Sequence, residues 1–311
     1  MAGWKNCGIE VPDGLLVIDK PQGPTSHDVV DRIRRVLGER QIGHTGTLDP
    51  AASGVLPLVV GRATRLARFL NADDKTYEVE IRLGVATDTG DGEGMPVGVP
   101  HHGSWPSGED VDRALDAFRG RFLQQPPAFS AKKIGGIRSY VLARQSRPTL
   151  PTLPAPVEVT AHAIELVAAR HDLIVLRVEC SSGFYVRSLA RDVGERLGTG
   201  AYLSALRRTR CGDFTISGAL PLEFAMRTRD EALRALIPLS QMLPALTLVV
   251  LTDEGVRRAL HGRDLSPSDT RDGAVGPGTP FVRLFDPNGG LLGVGEPARA
   301  PGFLHPLIVL R

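Results

Sequence analysis

The chain has 311 residues, 42% of them hydrophobic and 23% charged, and its formal net charge is only +2. A length of this order predicts about two domains, and the composition excludes a disordered chain while supplying a large core. The N-terminal MAGWKNCGIE lacks the basic start and apolar run of a secretion signal, and apolar runs such as 246–251 are far too short to cross a bilayer. A cytoplasmic protein with no membrane partner is therefore expected. Cys7, Cys180 and Cys211 are odd in number and show no CxxC spacing, which argues against a disulfide framework and a structural zinc site and predicts reduced thiols.

The first predicted element is a strand at 14–19, GLLVID, leading into Lys20-Pro21-Gln22-Gly23-Pro24, a run of turn formers headed by a lysine. A helix starts at Thr25 or Ser26 with Asp28 in its first turn. Val29, Val30, Ile33, Val36 and Leu37 fall on one stripe, and Gly38 ends it. Residues 41–61, QIGHTGTLDPAASGVLPLVVG, combine glycines at 43, 46 and 54 with an aspartate set against Pro50. Proline disfavours the helical region for its predecessor, so Asp49 is held near the extended conformation, and the run from Val55 to Val60 predicts a buried strand anchoring the loop. A rigid loop presenting one acid is what covalent catalysis by a carboxylate needs, although an Asp-Pro in a loop is far more often an ordinary turn residue.

A helix is predicted over 62–70, with Arg62, Arg65 and Arg68 sharing one face. KTYEVEIRL at 75–83 alternates as a strand, Tyr77, Val79, Ile81 and Leu83 on the apolar side, which places Tyr77 where an aromatic could close over a ligand. The acids of Asp88-Thr89-Gly90-Asp91-Gly92-Glu93-Gly94 lack the full calcium-loop pattern, so a flexible acidic loop is predicted rather than a metal site. A helix at 109–118 precedes a stretch, 119–157, that carries Arg119, Arg121, Lys132, Lys133, Arg138, Arg144 and Arg147 and no acid.

Prolines, glycines and aromatics at 125–140 suit an irregular surface that follows an RNA backbone and stacks bases, and proline-rich 147–156 reads as a connector. Together with Arg62, Arg65 and Arg68 and with Arg207, Arg208 and Arg210, this stretch fits a chain gripping a polyanion; solvated faces balanced by acids elsewhere fit equally. A strand at 173–180 turns into a helix whose first turn holds Arg187. An arginine there opposes the helix dipole, so a carboxylate or phosphate nearby is expected. A short helix at 203–208 and a strand at 213–217 follow. Around 238–244 the chain changes domain, and strands at 246–251, 281–285, 291–294 and 307–310 with a helix at 253–261 make a compact, mostly β module suited to accessory binding.

Five segments, KPQGPTSHDVV at 20–30, GHTGTLDPAASGVLPLVVGRATR at 43–65, KTYEVEIRLGVATDTGD at 75–91, QPPAFSAKKIGGIRSY at 125–140 and SSGFYVRSLARD at 181–192, occur in the order of the TruB family. Over most of 14–215 the chain resembles these bacterial tRNA pseudouridine-55 synthases, which isomerise a T-loop uridine. The resemblance implies an α+β pseudouridine synthase fold with a central, mostly antiparallel sheet over 1–240 and a small, mostly β, PUA-like RNA-binding domain over 241–311. It implies Asp49 as the nucleophile, Tyr77 as the aromatic that stacks on the target base and acts as a base, and Arg187 as the partner of the catalytic carboxylate. Leu206 would line the pocket, His44 would hold the flipped-out loop, and Lys20 and Pro21 would support the floor. Lys132 and Lys133 are expected to contact RNA phosphates.

The implied partner is tRNA through its T-arm, bound by a monomer with no cofactor and no metal. Phe184, where the family's threonine is expected, and the proline-rich segment after Arg144 are departures expected to alter RNA-surface detail. Two other readings stay open: a tRNA-folding chaperone in which Asp49 is structural, and a guide-RNA-dependent synthase of the dyskerin type. A glycosidic-bond hydrolase would pair two acids across the bond, and the matched motifs offer Asp49 no partner acid.

Overall fold

The computed structural model of the chain describes residues 11–71, 74–130, 132–139, 153–271 and 279–310. Cys7, Arg144, Arg147 and most of the proline-rich connector lie outside the described residues. Seven strands carry the large sheet: β1 (Gly14–Lys20), β2 (Ala52–Val60), β3 (Lys75–Leu83), β4 (Gly120–Gln124), β5 (Val157–Arg170), β6 (Leu173–Cys180) and β7 (Ala201–Cys211). They lie in the order β1-β2-β7-β3-β6-β5-β4, and short marginal strands bring the described total to eleven. Only the β2–β7 pair and the pairing of Leu220–Pro221 with β1 are parallel; every other described pair in this sheet is antiparallel.

Three helices cover one face: α1 (Ser26–Leu37), α2 (Gly108–Leu115) and α3 (Val186–Arg196). Thr25 caps α1 through a capping box with Asp28, and Gly38 closes it in the left-handed conformation. The stripe of Val29, Val30, Ile33 and Leu37 then meets Ile18, Leu56, Val79, Ile81 and Leu176 from the sheet in one core. On the opposite face, β8 (Thr247–Val250), β9 (Val282–Phe285), β10 (Leu291–Pro297) and β11 (Leu304–Val309) form a second sheet in that order, accompanied by α4 (Asp253–Leu260). Phe285, Leu291, Val294 and Ile308 pack with Leu15, Val17, Val55 and Val59 in a core shared by both sheets. Being buried on both faces explains why β1 and β2 read as unbroken apolar runs instead of alternating.

Three elements differ from the sequence expectation. Residues 203–208 are not a helix but the middle of β7. Register shifts between Leu203 and Ala205 and between Arg208 and Arg210 put buried residues at 201, 203, 206, 208 and 211. Such bulges add a residue to the period of two, and the resulting spacing imitates a helical stripe. The predicted helix at 62–70 divides into a 3₁₀ turn, Gly61–Leu66, and one short α-helical turn, Ala67–Asn71. The strand predicted at 213–217 contracts to Phe214–Thr215 before another 3₁₀ turn.

Candidate active site

Asp49 lies in the turn between the short strand Ile42–His44 and β2, and its backbone is clamped on both sides. Before it, the buried Ser26 hydroxyl accepts from the Leu48 N–H at 2.8 Å and donates to the Leu48 carbonyl at 2.9 Å. After it, the Pro50 carbonyl accepts from the Gly23 N–H at 2.8 Å and from the Lys20 ammonium at 3.4 Å. Gly54, at φ +106°, lets β7 approach: a Cβ there would sit 2.1 Å from the Arg208 carbonyl oxygen.

Arg187 stands in the first turn of α3, as the sequence places it, and its guanidinium is fully engaged. Nε lies 2.9 Å from Asp49 Oδ2, Nη1 donates to the Thr89 carbonyl at 3.1 Å, and Nη2 donates to the Phe129 carbonyl at 2.8 Å. Asp91 Oδ2 is a further 3.7 Å from Nη1. The Arg187 side chain is 9% exposed and that of Asp49 37%, so the carboxylate is both anchored and reachable.

Sequence reasoning missed Asp91. Its signal was the acidic loop, which the structure finds pinned rather than flexible. Gly92 N–H donates to the Leu203 carbonyl and Leu203 N–H to Gly90, both at 3.0 Å, while Asp91 Oδ1 accepts from the Thr89 hydroxyl at 2.6 Å. Asp91 both holds the loop, through Oδ1, and faces Arg187, through Oδ2.

Asp49, Ala52, Asp91, Arg187, Leu203 and Leu206 line a narrow cleft. Leu206 reaches it from β7, directly across from Val79 of β3 and Ala52 of β2. Tyr77 lies two residues from Val79, buried, with Arg208 as its cross-strand neighbour and hydroxyl partner. Burial pushes its phenol up to about 12, so it is neutral at physiological pH. Arg208 is itself buried and donates to the carbonyls of Val55 at 2.7 Å, Gly46 at 3.2 Å and Thr47 at 3.4 Å, tying β7 to the Asp49 loop.

Lys20 is buried below the same loop, its ammonium also donating to Pro21 and Pro24 carbonyls at 2.9 Å. Burial lowers its pKa to about 8, partly opposed by the charge of Asp49. Pro21 supplies one of those carbonyls, which is its place in the floor. His44 is half-buried, and burial, with the Arg208 and His27 charges, depresses its pKa and favours the neutral ring. Its Nδ1 is buried with no hydrogen-bond partner among the described residues.

The predicted basic groups are largely committed elsewhere. Arg62 pairs with Asp13, Arg65 donates to the Val309 carbonyl, Arg119 pairs with Asp112 and Asp116, and Arg121 faces Glu158 at 3.4 Å. Arg207 pairs with Asp19 at 2.8 Å and Arg210 with Glu179. Arg62, Arg121, Arg207 and Arg210 thus meet acids distant in sequence, Arg119 meets nearby ones, and Arg68 lies over the Phe69 ring at 4.8 Å. Lys132 is half-buried and its carbonyl accepts from Ser139 N–H at 2.7 Å; the Lys133 side chain lies outside what the structure describes. Phe184, expected to alter RNA-surface detail, joins the core, edge-on to Phe122 at 6.1 Å. A wider open hollow beside His101 and Trp105 mixes Asp110 with Arg113 and Arg196, and none of the Asp49 cluster lines it.

Comparison with known proteins agrees with this architecture. Residues 34–186 match the model of the TruB family pseudouridylate synthase N-terminal domain, and residues 187–243 that of the tRNA pseudouridylate synthase B C-terminal domain. The chain is 40% identical over 300 residues to tRNA pseudouridine synthase B of Solibacter usitatus (strain Ellin6076), covering 96% of this chain and 100% of that one. It is 40% identical over 288 residues to tRNA pseudouridine synthase B of Azoarcus sp. (strain BH72), covering 92% and 91%. Among solved structures, a chain from "Structure of H/ACA RNP bound to a substrate RNA containing 2'-deoxyuridine" shares the fold at TM-score 0.69 and 24% identity, covering 96% of this chain and 84% of that one. A chain from "Crystal Structure of a Cbf5-Nop10-Gar1 Complex" aligns at TM-score 0.66 and 26% identity, covering 91% and 78%. With a polar Asp49–Arg187 pair set in an apolar cleft of this sheet and these matches along nearly its whole length, the chain belongs to the TruB family of tRNA pseudouridine synthases.

Proposed function

We propose that the protein isomerises uridine 55 in the T-loop of tRNA to pseudouridine, with Asp49 as the nucleophilic carboxylate. The observation that carries this is the Asp49–Arg187 pair at 2.9 Å, one partner buried and the other open to the cleft. The reaction breaks the bond from C1′ to N1, turns the uracil in the pocket and forms a bond from C1′ to C5; C5 loses its proton and N1 gains one, so nothing is oxidised or reduced. The carboxylate serves each route to that end, by attack on C6, by attack on C1′, or by supporting a sugar intermediate after loss of the C2′ proton. Arg187 holds the carboxylate in place.

Because the uridine is stacked in folded tRNA, it must be extruded, at an unstacking cost of a few kcal/mol. Leu206 offers an apolar wall for the base and Tyr77 an aromatic support. A phenol raised to about 12 favours a stacking or hydrogen-bonding role over that of a base. His44, with its unpartnered Nδ1, suits contact with the flipped loop, Lys20 and Pro21 hold the floor, and Lys132 and Lys133 contact phosphates. Residues 1–240 would form the catalytic part and 241–311 a PUA-like RNA-binding part, acting as a monomer in the cytoplasm on the T-arm. No described helix is long and apolar enough to cross a membrane.

Asp49→Asn is expected to keep tRNA affinity within about threefold while losing tritium release from C5-labelled transcript. Near parental turnover by that variant would end the assignment. A guide-dependent reading draws on the likeness to the H/ACA and Cbf5 chains, which concerns the fold alone at 24% identity. Activity on naked transcript without guide, mapped to position 55, decides between the two, and binding without activity in the parent protein would favour the chaperone.

A further inference from the structure

Both members of the Asp49–Arg187 pair sit on backbone held from outside its own element. Ser26 Oγ, 3% exposed, satisfies both the N–H and the carbonyl of Leu48, the residue before Asp49. Gln124, 1% exposed at the end of β4, does the same for Tyr185, two residues before Arg187: Oε1 accepts from the Tyr185 N–H at 2.8 Å and Nε2 donates to its carbonyl at 3.0 Å. Tyr185 is the N-cap of α3 and contributes no side-chain cap of its own, and no acid occupies the first turn. The start of that helix therefore lacks the usual local device and takes its support from Gln124. One residue on, the Gln125 carbonyl accepts from Ser188 Oγ at 2.7 Å and Arg191 Nη2 at 3.4 Å, which extends the lacing between 124–125 and α3.

A neutral side chain that pairs with both polar groups of one residue fixes its position as a strand partner would, without adding charge beside a carboxylate. Breaking the Ser26 pairing removes the side-chain partner of both Leu48 backbone groups, and breaking the Gln124 pairing removes that of the Tyr185 N–H, whose carbonyl keeps the Leu189 N–H; either change lets the segment shift. We infer that Ser26 and Gln124 are positioning residues for the reaction, setting the separation of the Asp49 carboxylate and the Arg187 guanidinium without touching substrate. This rests on the reading of Asp49 and Arg187 as the reacting pair. A displacement near 1 Å at reacting groups costs up to about 100-fold in rate.

The test uses full-length protein and tRNA transcript, reading single-turnover rate, tRNA affinity and melting temperature for Ser26→Ala and Gln124→Met separately. Expected is a fall of about 10- to 100-fold in rate with affinity within about threefold of the parent. In an Arg187→Lys background, whose residual rate is measured first, the Gln124→Met effect should shrink to within about threefold, since the geometry it protects is already lost. An unchanged rate in a folded variant overturns the proposal, and so does a Gln124→Met effect that persists in full with Arg187→Lys. Should either substitution prevent folding, Ser26→Gly and Gln124→Leu, which remove the same bonds with a different side-chain volume, carry the same comparison. An active Asp49→Asn would instead overturn the underlying reading of the pair.

Discussion

At the scale of single residues, the site is built from charges placed where burial is expensive and then satisfied by backbone. Arg208 and Lys20 are both buried, and each donates to three described carbonyls of the segments around Asp49. Such groups are costly to strand: removing a partner from a buried charge typically costs about 3 to 5 kcal/mol. Lys20 makes the point testable. Its pKa is about 8 in the folded protein against an ordinary 10.5, so between those values the unfolded chain binds more protons and stability rises with pH. Relative to Lys20→Met, the parent protein should therefore gain unfolding free energy from pH 8 to 10.5 and show a constant difference below pH 8. Denaturant titrations across that range measure it, and a difference that stays flat throughout refutes the assignment of a buried, strained ammonium.

At the scale of elements, the parallel contact of β2 with β7 brings Leu206 to the cleft and Arg208 under the Asp49 loop. Gly54 makes that contact possible, through a positive φ and a backbone approach that excludes any Cβ. Gly54→Ala is expected to destabilise the protein by about 3 kcal/mol, read from denaturant midpoints, and to lower turnover through the loop it supports. A loss below about 1 kcal/mol would mean that the two strands part without consequence. The bulges of β7 belong at this scale too. They phase Leu206 and Arg208 onto the buried side together, which a regular strand with a period of two would also do, but shifted relative to Leu203 and Cys211.

At the scale of the molecule, the catalytic sheet and the C-terminal sheet share a core, and Arg65 reaches across to Val309. Sheets joined through one apolar layer unfold together. Calorimetry of the full chain should show one cooperative transition, and Val294→Asp, which buries an unpaired carboxylate in that layer, should lower the melting of both parts at once. Two resolved transitions, with only the later part of the chain affected, would instead describe independently stable units.

How far the sequence reached varies from place to place. Local patterns located β1, α1, β3 and β6 to within a residue or so, because caps, alternation and an apolar stripe are encoded in neighbours. Asp49 was legible through its proline and glycines, and Arg187 through its misfit with the helix dipole. Asp91, Ser26 and Gln124 were not, since each acts through partners 22 to 96 residues away in the chain. For the same reason charge in the sequence left two readings of the basic clusters open: their counter-charges, Asp13, Asp19, Glu158 and Glu179, approach only when strands from distant segments align. Sequence by itself located most of the elements and a rigid loop presenting one carboxylate, and the family resemblance named that carboxylate and its arginine as candidates. Only the tertiary structure decided which charges remain available, that 203–208 is a bulged strand, and how the acid is held, because those depend on contacts that do not exist until the sheet closes.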